Sequence, residues 1–451
     1  MQSLRIRELE IRNFRGIECS QLQFDDANIL VGNNGSGKTA TLAAIARLLP
    51  AMRQETRLFL DADFRMDESW TAQTITLNYK IEIDDQEIDL EISGNRKNTG
   101  VSRSHINDQA ASIIDFKVSD EEKLSAWLTS AGQPTQRIVR YGWEGGRVVP
   151  INLDVQGSST HAATSEKEEM GHFDSLRARL VELHTSSELG EIVGENYPDL
   201  EANVLATTNL LLGVERFSKV RIGYAKQVML GTPDGGIQPF TEVSGGEKSV
   251  IHLAMALEQE ARKKSQILIL EEPETMLHPL IQGDLVQIVR DRIPHAQIFV
   301  TTHSPYIFQN QIEDSAVLIP STGGSGKTFE RYDPRNWLVG YPSFAEINYR
   351  AYQVYTTDFH NELYGALQDH VGSTSNSVDR FLDQKGITRK NRTWRKQTDS
   401  VVKAQTVTLS TYIRHAIHHP ENVHNTKFTT AELEQSTKSL ISALQVARGN
   451  P

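Results

Sequence analysis

The residues with the clearest capacity for chemistry lie in a glycine-rich stretch near the start of the chain. Residues 32–39 read Gly-Asn-Asn-Gly-Ser-Gly-Lys-Thr, the G-x-x-x-x-G-K-[ST] spacing of a phosphate-binding loop. Glycines let the backbone curl around a polyphosphate so that its amides point inward, and a following helix adds its positive end. Lys38 supplies a charge for the β- and γ-phosphates, and Thr39 supplies a hydroxyl for Mg²⁺. The predicted nucleotide-binding residues of this loop are Asn33, Asn34, Gly35, Ser36, Gly37, Lys38 and Thr39.

Two carboxylates and a histidine follow later apolar runs. Glu271 and Glu272 come directly after the sequence Ile-Leu-Ile-Leu, at the carboxyl end of a predicted buried strand. Ligands collect at this end of the strands in open α/β sheets. We predict that Glu271 holds the metal through water and that Glu272 orients and polarises the attacking water. His303 ends the next apolar run and is placed to sense the γ-phosphate or that water, so the predicted catalytic residues are Lys38, Glu272 and His303.

To bind phosphate, the glycine-rich loop must connect a strand directly to a helix. The apolar run 27–31 enters the glycine loop, and residues 40–49 leave it with helical spacing. A second glycine-rich segment, 323–328, also ends in Lys-Thr. It has Ser321 where the first glycine should stand, and the residues after it cannot begin a comparable helix. We interpret this second segment as a flexible hairpin turn.

With these segments in place, the chain resembles ABC-class ATPases of the branch that includes the RecF, SMC and overcoming-lysogenisation-defect (OLD) proteins. Residues 4–16 match the first strand and the "NFRG" turn of that branch, and Arg15 in this turn joins the predicted nucleotide-binding residues. Residues 244–247, Ser-Gly-Gly-Glu, match the signature motif. The Walker B, D-loop and H-loop regions are matched by residues 271–274, 277–279 and 302–305.

The resemblance implies an α/β fold, an ABC-type P-loop ATPase head with a mixed sheet, an antiparallel β lobe and a helical insert. It implies ATP and Mg²⁺ as cofactors, bound in a head-to-head dimer or higher oligomer. There the signature residues cap the γ-phosphate of ATP held by the other subunit, and these residues are Ser244, Gly245, Gly246 and Glu247. The chain departs from the family in having Glu271 instead of aspartate and no assignable Q-loop glutamine. Slow hydrolysis, with ATP serving mainly as a switch, is therefore an open alternative.

The overall plan is similar to that of the ATPase subunits of two bacterial anti-phage systems, Septu and PARIS. This resemblance implies an oligomer that senses infection and regulates or recruits a separate nuclease subunit, of the HNH type or the toprim type. No toprim-like acidic constellation follows the ATPase, in contrast to the OLD nucleases, and the helical tail favours Septu. The alternative is a RecF-like repair ATPase that binds DNA by itself.

Between the matched segments, residues 74–83 and 87–92 alternate in polarity and predict an antiparallel hairpin. A helix is predicted over 199–213, with two strands near Val220 and Val228. We therefore predict an ATPase domain and a C-terminal helical domain. Their bounds are 1–340, with core segments 1–50 and 235–340 and an inserted lobe at about 51–234, and then 341–451.

The C-terminal domain offers two further candidate sites. Helical spacing and caps predict helices at 357–367, 377–384, 408–418 and 430–447. Five cations and an indole in one short segment suit a groove that follows a nucleic-acid backbone; these residues are Arg389, Lys390, Arg392, Trp394, Arg395 and Lys396. Arg414 and His419 fit the R-x4-H pattern of HEPN ribonucleases, in which such groups serve attack on an RNA 2′-hydroxyl. The alternative is a helix end that closes the bundle.

Composition agrees with a cytoplasmic protein of two or three domains. The chain has 451 residues, of which 38% are hydrophobic, enough to build real cores. Its one cysteine, Cys19, excludes an internal disulfide framework. No apolar run approaches the ~18–20 residues of a membrane span, so no membrane partner is expected. The net charge of −11 argues against a uniformly basic nucleic-acid binder, while local patches leave DNA or RNA open as partners.

Overall fold

The fold is described from a computed structural model of the chain. The residues that the structure describes are 3–55, 58–65, 73–96, 112–130, 138–144, 147–150, 177–182, 184–185, 200–224, 227–310, 315–320, 329–333, 337–398 and 401–449. The chain divides into two compact units, Met1–Tyr332 and Asp333–Pro451, so the predicted boundary after residue 340 falls within the second unit. The turn predicted at 323–328 lies outside the described residues.

The first unit is mixed α/β, and the second is mainly helical. The strands are β1 Leu4–Phe14, β2 Ile17–Gln23, β3 Ala27–Val31, β4 Ile75–Ile83, β5 Gln86–Arg96, β6 Ser112–Val118, β7 Ile138–Glu144, β8 Arg147–Pro150, β9 Lys219–Ile222, β10 Val228–Gly231, β11 Ile237–Pro239, β12 Ile267–Glu271, β13 Gln297–Thr302, β14 Ala316–Pro320, β15 Phe329–Arg331, β16 Arg392–Thr398 and β17 Val401–Val407. The helices are α1 Lys38–Ala46, α2 Leu48–Met52, α3 Glu121–Ser130, α4 Leu200–Leu212, α5 Gly245–Lys263, α6 Pro279–Gln282, α7 Leu285–Arg292, α8 Pro305–Asn310, α9 Phe344–Tyr352, α10 Thr357–Val371, α11 Ser375–Gln384, α12 Leu409–His418 and α13 Thr430–Ala447. Among the described residues, no helix is long and apolar enough to span a bilayer.

Seven of the described strands form the central sheet, in the order β15-β14-β3-β13-β12-β7-β8. The strands from β14 to β7 run parallel, and an antiparallel strand closes each edge. β3 and β13 are buried along their whole length, as expected of parallel strands covered on both faces. Because β3, β13 and β12 are neighbours, their carboxyl ends meet at one edge of the sheet. This edge brings together the glycine loop, Glu272 and His303.

A separate antiparallel sheet, in the order β2-β1-β4-β5-β6, forms the β lobe. Its middle strand β4 alternates buried and half-buried residues, and β4 and β5 form the predicted hairpin, which is therefore confirmed. The turn lies at Asp84 and Asp85, with φ values of 50° and 62°, the left-handed backbone that a two-residue hairpin turn requires. Tyr79 from β4 donates a hydrogen bond to the Ala44 carbonyl at 2.7 Å, which fixes the lobe against α1.

The chain between the lobe and the signature motif also matches its sequence pattern. Helix α4 lies where a helix was predicted over 199–213, and β9 and β10 lie at the two predicted strands near Val220 and Val228. These two strands and β11 form a small antiparallel sheet in the order β11-β10-β9. A short 3-10 helix, Phe240–Glu242, connects this sheet to helix α5, which begins in the signature motif.

The second unit contains the four helices predicted from the sequence, now seen as α10 to α13. Each begins after a threonine whose hydroxyl accepts a hydrogen bond from an amide of the first turn, namely Thr356, Thr374, Thr408 and Thr429. Phe359, Leu363, Leu440 and Leu444 lie in the core between them. The hairpin of β16 and β17 was not predicted, because its polar sequence hides the period-two pattern of a strand.

His360, which is fully buried in this second unit, is expected to make folding stability depend on pH. Its Nε2 lies 2.9 Å from the Ser436 hydroxyl, and burial together with the Arg414 charge lowers the pKa of His360 to about 3. Between these two pKa values the unfolded chain, with a histidine pKa of about 6.5, binds more protons than the folded chain. The contribution of His360 to folding stability is therefore fully present above pH 6.5 and is lost as the pH falls towards 3. We expect the unfolding free energy of this unit to fall by about 2 kcal/mol between pH 7 and pH 5 from this group alone.

Urea denaturation of the full chain at both pH values measures this loss. His360→Gln keeps a side-chain nitrogen for Ser436 but cannot titrate, so its stability should change less between the two pH values. An equal change in both proteins would show that His360 is not the group responsible.

Candidate nucleotide-binding site

A cleft of about 280 Å³ opens at the edge of the central sheet where the glycine loop, Glu272 and the β1–β2 turn meet. Its lining residues are Arg15, Gly16, Asn33, Asn34, Gly35, Ser36, Gly37, Lys38, Thr39, Ala40 and Glu272. The structure therefore brings together the predicted loop residues, Arg15 and one of the two predicted carboxylates. The size of the cleft is close to the lower end of typical small-molecule sites, roughly 300 Å³.

The backbone of the glycine loop has the shape that a phosphate cradle needs. Gly32, Gly35 and Gly37 have φ values of 142°, 78° and 108°, which side chains rarely allow. A Cβ atom at Gly32 would lie 2.6 Å from Pro320 Cγ, so the loop also packs too closely for any larger residue there. Helix α1 begins after Gly37 without a side-chain cap, which leaves its first amides available to phosphate oxygens. The loop therefore fits the triphosphate of a nucleotide.

The Lys38 ammonium group is held against the loop. Its side chain is buried, and Nζ donates hydrogen bonds to the carbonyls of Gly32 at 2.6 Å and Asn33 at 3.2 Å. Burial lowers the pKa of Lys38, while the carboxylates of Glu272 and Glu274 act in the opposite direction. An incoming phosphate would supply a stronger partner than these carbonyls, because its negative charge adds a direct attraction to the ammonium.

His303 lies between Lys38 and Glu272. Its Nε2 is 3.2 Å from Lys38 Nζ and 3.1 Å from Glu272 Oε1. Burial and the Lys38 charge lower the pKa of His303, against the opposing effect of Glu272. The same imidazole nitrogen cannot accept a hydrogen bond from Lys38 and donate one to Glu272 at the same time. The pair of contacts therefore makes His303 responsive to which charged group occupies the cleft.

Glu272 is held in a strained backbone conformation. Its φ and ψ values are 47° and 48°, the left-handed region that is uncommon for residues with a side chain. The Glu272 amide donates a hydrogen bond to the Thr301 carbonyl at 2.8 Å, which ties this turn to the neighbouring strand β13. The turn directs the side chain into the cleft, where it remains about half exposed at 47%. A carboxylate in this position is available to a water molecule beside the loop.

Glu271 is engaged in an ion pair and does not line the cleft. Its carboxylate forms an ion pair with Arg140 from the adjacent strand β7, and it is not part of the cleft lining described above. The predicted metal-side carboxylate is thus neutralised by a guanidinium in this structure. Among the residues that line the cleft, the Thr39 hydroxyl and the Glu272 carboxylate carry oxygens that fit Mg²⁺. Arg140 itself was missed, although a lone cation inside the apolar strand sequence Ile-Val-Arg-Tyr was a signal.

Two buried acids that the sequence analysis missed hold the site in place. Glu274 accepts a hydrogen bond from the His303 amide at 2.7 Å, and burial raises its pKa. Asp63 lies between two arginines, with Arg15 at 2.7 Å and Arg47 at 2.9 Å. Although burial opposes it, the two arginine charges keep the pKa of Asp63 below its usual value. Asp63 therefore stays ionised and fixes the guanidinium of Arg15 at the edge of the cleft.

The signature residues lie outside this cleft lining and cap the exposed start of helix α5. Ser244 Oγ accepts a hydrogen bond from the Glu247 amide at 3.2 Å, and the Glu247 carboxylate accepts one from the Ser244 amide at 3.0 Å. Arg216 also donates to Glu247 at 2.8 Å. Glu247 is therefore used to hold the helix start, while Ser244 and Gly245 are exposed to solvent.

In the second unit, the structure corrects one sequence-based expectation. Trp394 is only 3% exposed and packs edge-on against Tyr412, so its indole is not available to stack on a base. Arg392 from the same segment forms an ion pair with Glu432. The other cations of the predicted patch, Arg389, Lys390, Arg395 and Lys396, are exposed.

The predicted ribonuclease pair is engaged in separate packing contacts. Arg414 lies over the Tyr364 ring at 5.4 Å and donates a hydrogen bond to Asn361 at 3.3 Å. His419 stands at the end of α12, with its ring 6.4 Å from that of Trp394 and Nδ1 3.3 Å from Glu421. These contacts favour the interpretation as a helix end that closes the bundle.

Comparison with known proteins adds the following similarities. A family model described as "AAA domain, putative AbiEii toxin, Type IV TA system" matches residues 27–309. The Septu protein PtuA of Bacillus thuringiensis is 24% identical, over 67% of this chain and 73% of that protein. The SMC head domain from Thermotoga maritima has 15% identity and a TM-score of 0.43 over 73% of this chain and 98% of that one. An Smc head bound to the C-terminal winged-helix domain of ScpA has 14% identity and a TM-score of 0.44, covering 72% and 97%.

Proposed function

The chain belongs to the AAA-domain family whose model spans residues 27–309, and on this basis we propose that it binds ATP with Mg²⁺ and hydrolyses the nucleotide. One observation carries the proposal: beside the glycine loop, His303 Nε2 lies 3.2 Å from Lys38 Nζ and 3.1 Å from Glu272 Oε1. A structural glycine turn would need neither a buried ammonium nor a strained glutamate next to it. The cleft combines a phosphate cradle with a carboxylate in a position to direct water.

In this mechanism the groups of the chain act on the γ-phosphate from two sides. Lys38 and the first amides of α1 neutralise the charge that develops on the phosphoryl oxygens. Glu272 accepts a hydrogen bond from the attacking water and orients it, and His303 shifts from Lys38 to the phosphate or the water. Mg²⁺, when bound through the Thr39 hydroxyl, would neutralise phosphate charge. The ion pair of Glu271 with Arg140 must open before Glu271 can approach the metal's water shell.

We further propose that each complete site is shared between two copies of the chain. Ser244 and Gly245 are exposed at the positive end of the 19-residue helix α5, outside the cleft that holds their own Lys38. The capping box and Arg216 fix this helix start before any ligand arrives. Such a preformed end would cap the γ-phosphate of ATP bound to a second copy, in a head-to-head dimer or higher oligomer. ATP binding is then converted into closure of the oligomer.

Mixing two inactive variants tests the shared site. Lys38→Ala removes the cradle charge, and Ser244→Arg blocks the signature cap, so each protein alone should lose ATPase activity. In a mixed dimer one site is intact, and random pairing should restore about one quarter of the wild-type phosphate release. Mixing Lys38→Ala with Glu272→Gln is the matched control, because both defects then lie on the cradle side and no intact site forms. Absence of recovery in the first mixture would argue against the shared site.

The role of this ATPase is, we propose, in bacterial anti-phage defence. The similarity to the Septu protein PtuA supports this assignment. In the proposed role, the nucleotide-dependent oligomer senses infection and regulates or recruits a separate nuclease subunit of the HNH or toprim type. Two contacts suit a switch of this kind: His303 lies between Lys38 and Glu272, and Glu271 is paired with Arg140, so an entering nucleotide would compete with these partners.

A further inference from the structure

A second charged surface lies in the C-terminal unit, on and beside the hairpin of β16 and β17. Residues 385–419 contain eight lysines and arginines but one aspartate, although the whole chain has a net charge of −11. The cationic hairpin surface is defined here by the exposed residues Arg389, Lys390, Arg395, Lys396 and Lys403. A basic surface concentrated in an acidic chain is the electrostatic footprint of a polyanion site.

Two lysines of this surface are placed where their charges repel. Lys396 and Lys403 are direct cross-strand partners in the antiparallel register of the hairpin. Like charges in this arrangement destabilise a sheet, so folding alone does not favour the pair. Across the residues that the structure describes, neither ammonium group has an acidic partner, and the same holds for Arg389 and Lys390. A bound anion between the two lysines would remove the repulsion.

The hairpin is firmly anchored at its base. Trp394 packs against Tyr412 beneath it, with ring centroids 5.6 Å apart. On the outer edge of β16, the Arg395 amide donates to Asn425 Oδ1 at 2.8 Å. The Arg395 carbonyl accepts hydrogen bonds from Asn422 at 2.8 Å and Asn425 at 2.9 Å. These asparagines occupy the strand edge, which blocks pairing with another strand and holds the lysines on a fixed platform.

We propose that the cationic hairpin surface binds duplex DNA through its backbone phosphates. The burial of Trp394 removes the base-stacking platform that single-strand binding uses, which leaves phosphate contacts. A two-stranded ribbon fits the major groove of B-form DNA, about 12 Å wide, whereas the deep, narrow major groove of A-form RNA excludes it. Binding is therefore independent of base sequence and sensitive to salt. The surface belongs to the second unit, and its action does not depend on ATP hydrolysis.

Fluorescence anisotropy of the full chain with a labelled duplex DNA of about 30 base pairs tests the proposal, over about 50 to 200 mM salt. Lys396→Gln with Lys403→Gln should weaken binding about tenfold and reduce the slope of log affinity against log salt by about two. Lys219→Gln with Lys264→Gln is the matched control, because it removes the same charge from two exposed lysines of the first unit and should leave both quantities unchanged. Circular dichroism checks that all three proteins are folded.

Three results would overturn the assignment. Equal affinity and salt slope in the hairpin and control variants would show that Lys396 and Lys403 do not touch the DNA. Binding of a single strand or of duplex RNA as tight as that of duplex DNA would contradict the groove argument. Tighter binding of polyglutamate than of DNA would identify the surface as a site for an acidic protein.

Discussion

Lys38→Ala is expected to weaken ATP binding severely, with an affinity about 30-fold or more below that of the wild type. The reason lies in the position of the ammonium, which is buried against the loop and is the main positive side chain facing the cradle. Truncating one partner of a buried, hydrogen-bonded charge pair costs about 2 to 5 kcal/mol, because the phosphate is left without its counter-charge. Titration of a fluorescent ATP analogue into the purified chain measures the loss.

A matched control for this variant exists in the same chain. Lys327 stands in a similar glycine-rich segment, which the sequence analysis interprets as a turn, so Lys327→Ala should bind ATP like the wild type. In cells that also produce the proposed nuclease subunit, protection against phage should be lost with Lys38→Ala and kept with Lys327→Ala. ATP affinity within a few-fold of normal in Lys38→Ala would refute the placement of the nucleotide. If Lys38→Ala loses ATP binding as expected but the cells stay protected against phage, the ATP site is not needed for the proposed defence role.

The core of the site could be read from the sequence because local patterns determine it. A glycine loop between a strand and a helix has few possible shapes, and the carboxyl ends of neighbouring parallel strands must meet at one edge. This placed Lys38, Glu272 and His303 together before any coordinates. Four helices of the second unit, α10 to α13, could likewise be predicted, since threonine caps and helical spacing agree at each of them, whereas α9 was not predicted.

The remaining features depend on pairs of residues that are distant in sequence. Arg140 and Glu271 meet because β7 lies beside β12, and Asp63 meets Arg15 across a turn of the β lobe. No local pattern encodes such partners. Trp394 illustrates the same limit, since an aromatic residue among cations suits both a stacking platform and a core anchor. The register of β16 and β17 was needed to show that Trp394 lies on the buried face of the hairpin.

Glu272→Gln is expected to keep ATP binding but to stall turnover by about 100-fold or more, the range of general-base catalysis. The amide has the size of the carboxylate and fits the same strained turn, so the cleft stays intact, whereas it cannot take a proton from water. It also removes a negative charge close to the triphosphate, which favours bound ATP. Because hydrolysis no longer opens the shared sites, the closed oligomer should accumulate with ATP.

Phosphate release and size-exclusion chromatography with ATP separate these effects. For Glu272→Gln we expect little phosphate release and a larger species that appears only with ATP. This larger species should disappear when Ser244→Arg is combined with Glu272→Gln in the same chain. Glu87→Gln serves as the control, since it makes the same chemical change at an exposed position of the β lobe, away from the cleft. Wild-type turnover in Glu272→Gln would transfer the base function to another group. Stalled turnover without the larger species would leave the base assignment intact and remove the link between trapped ATP and closure.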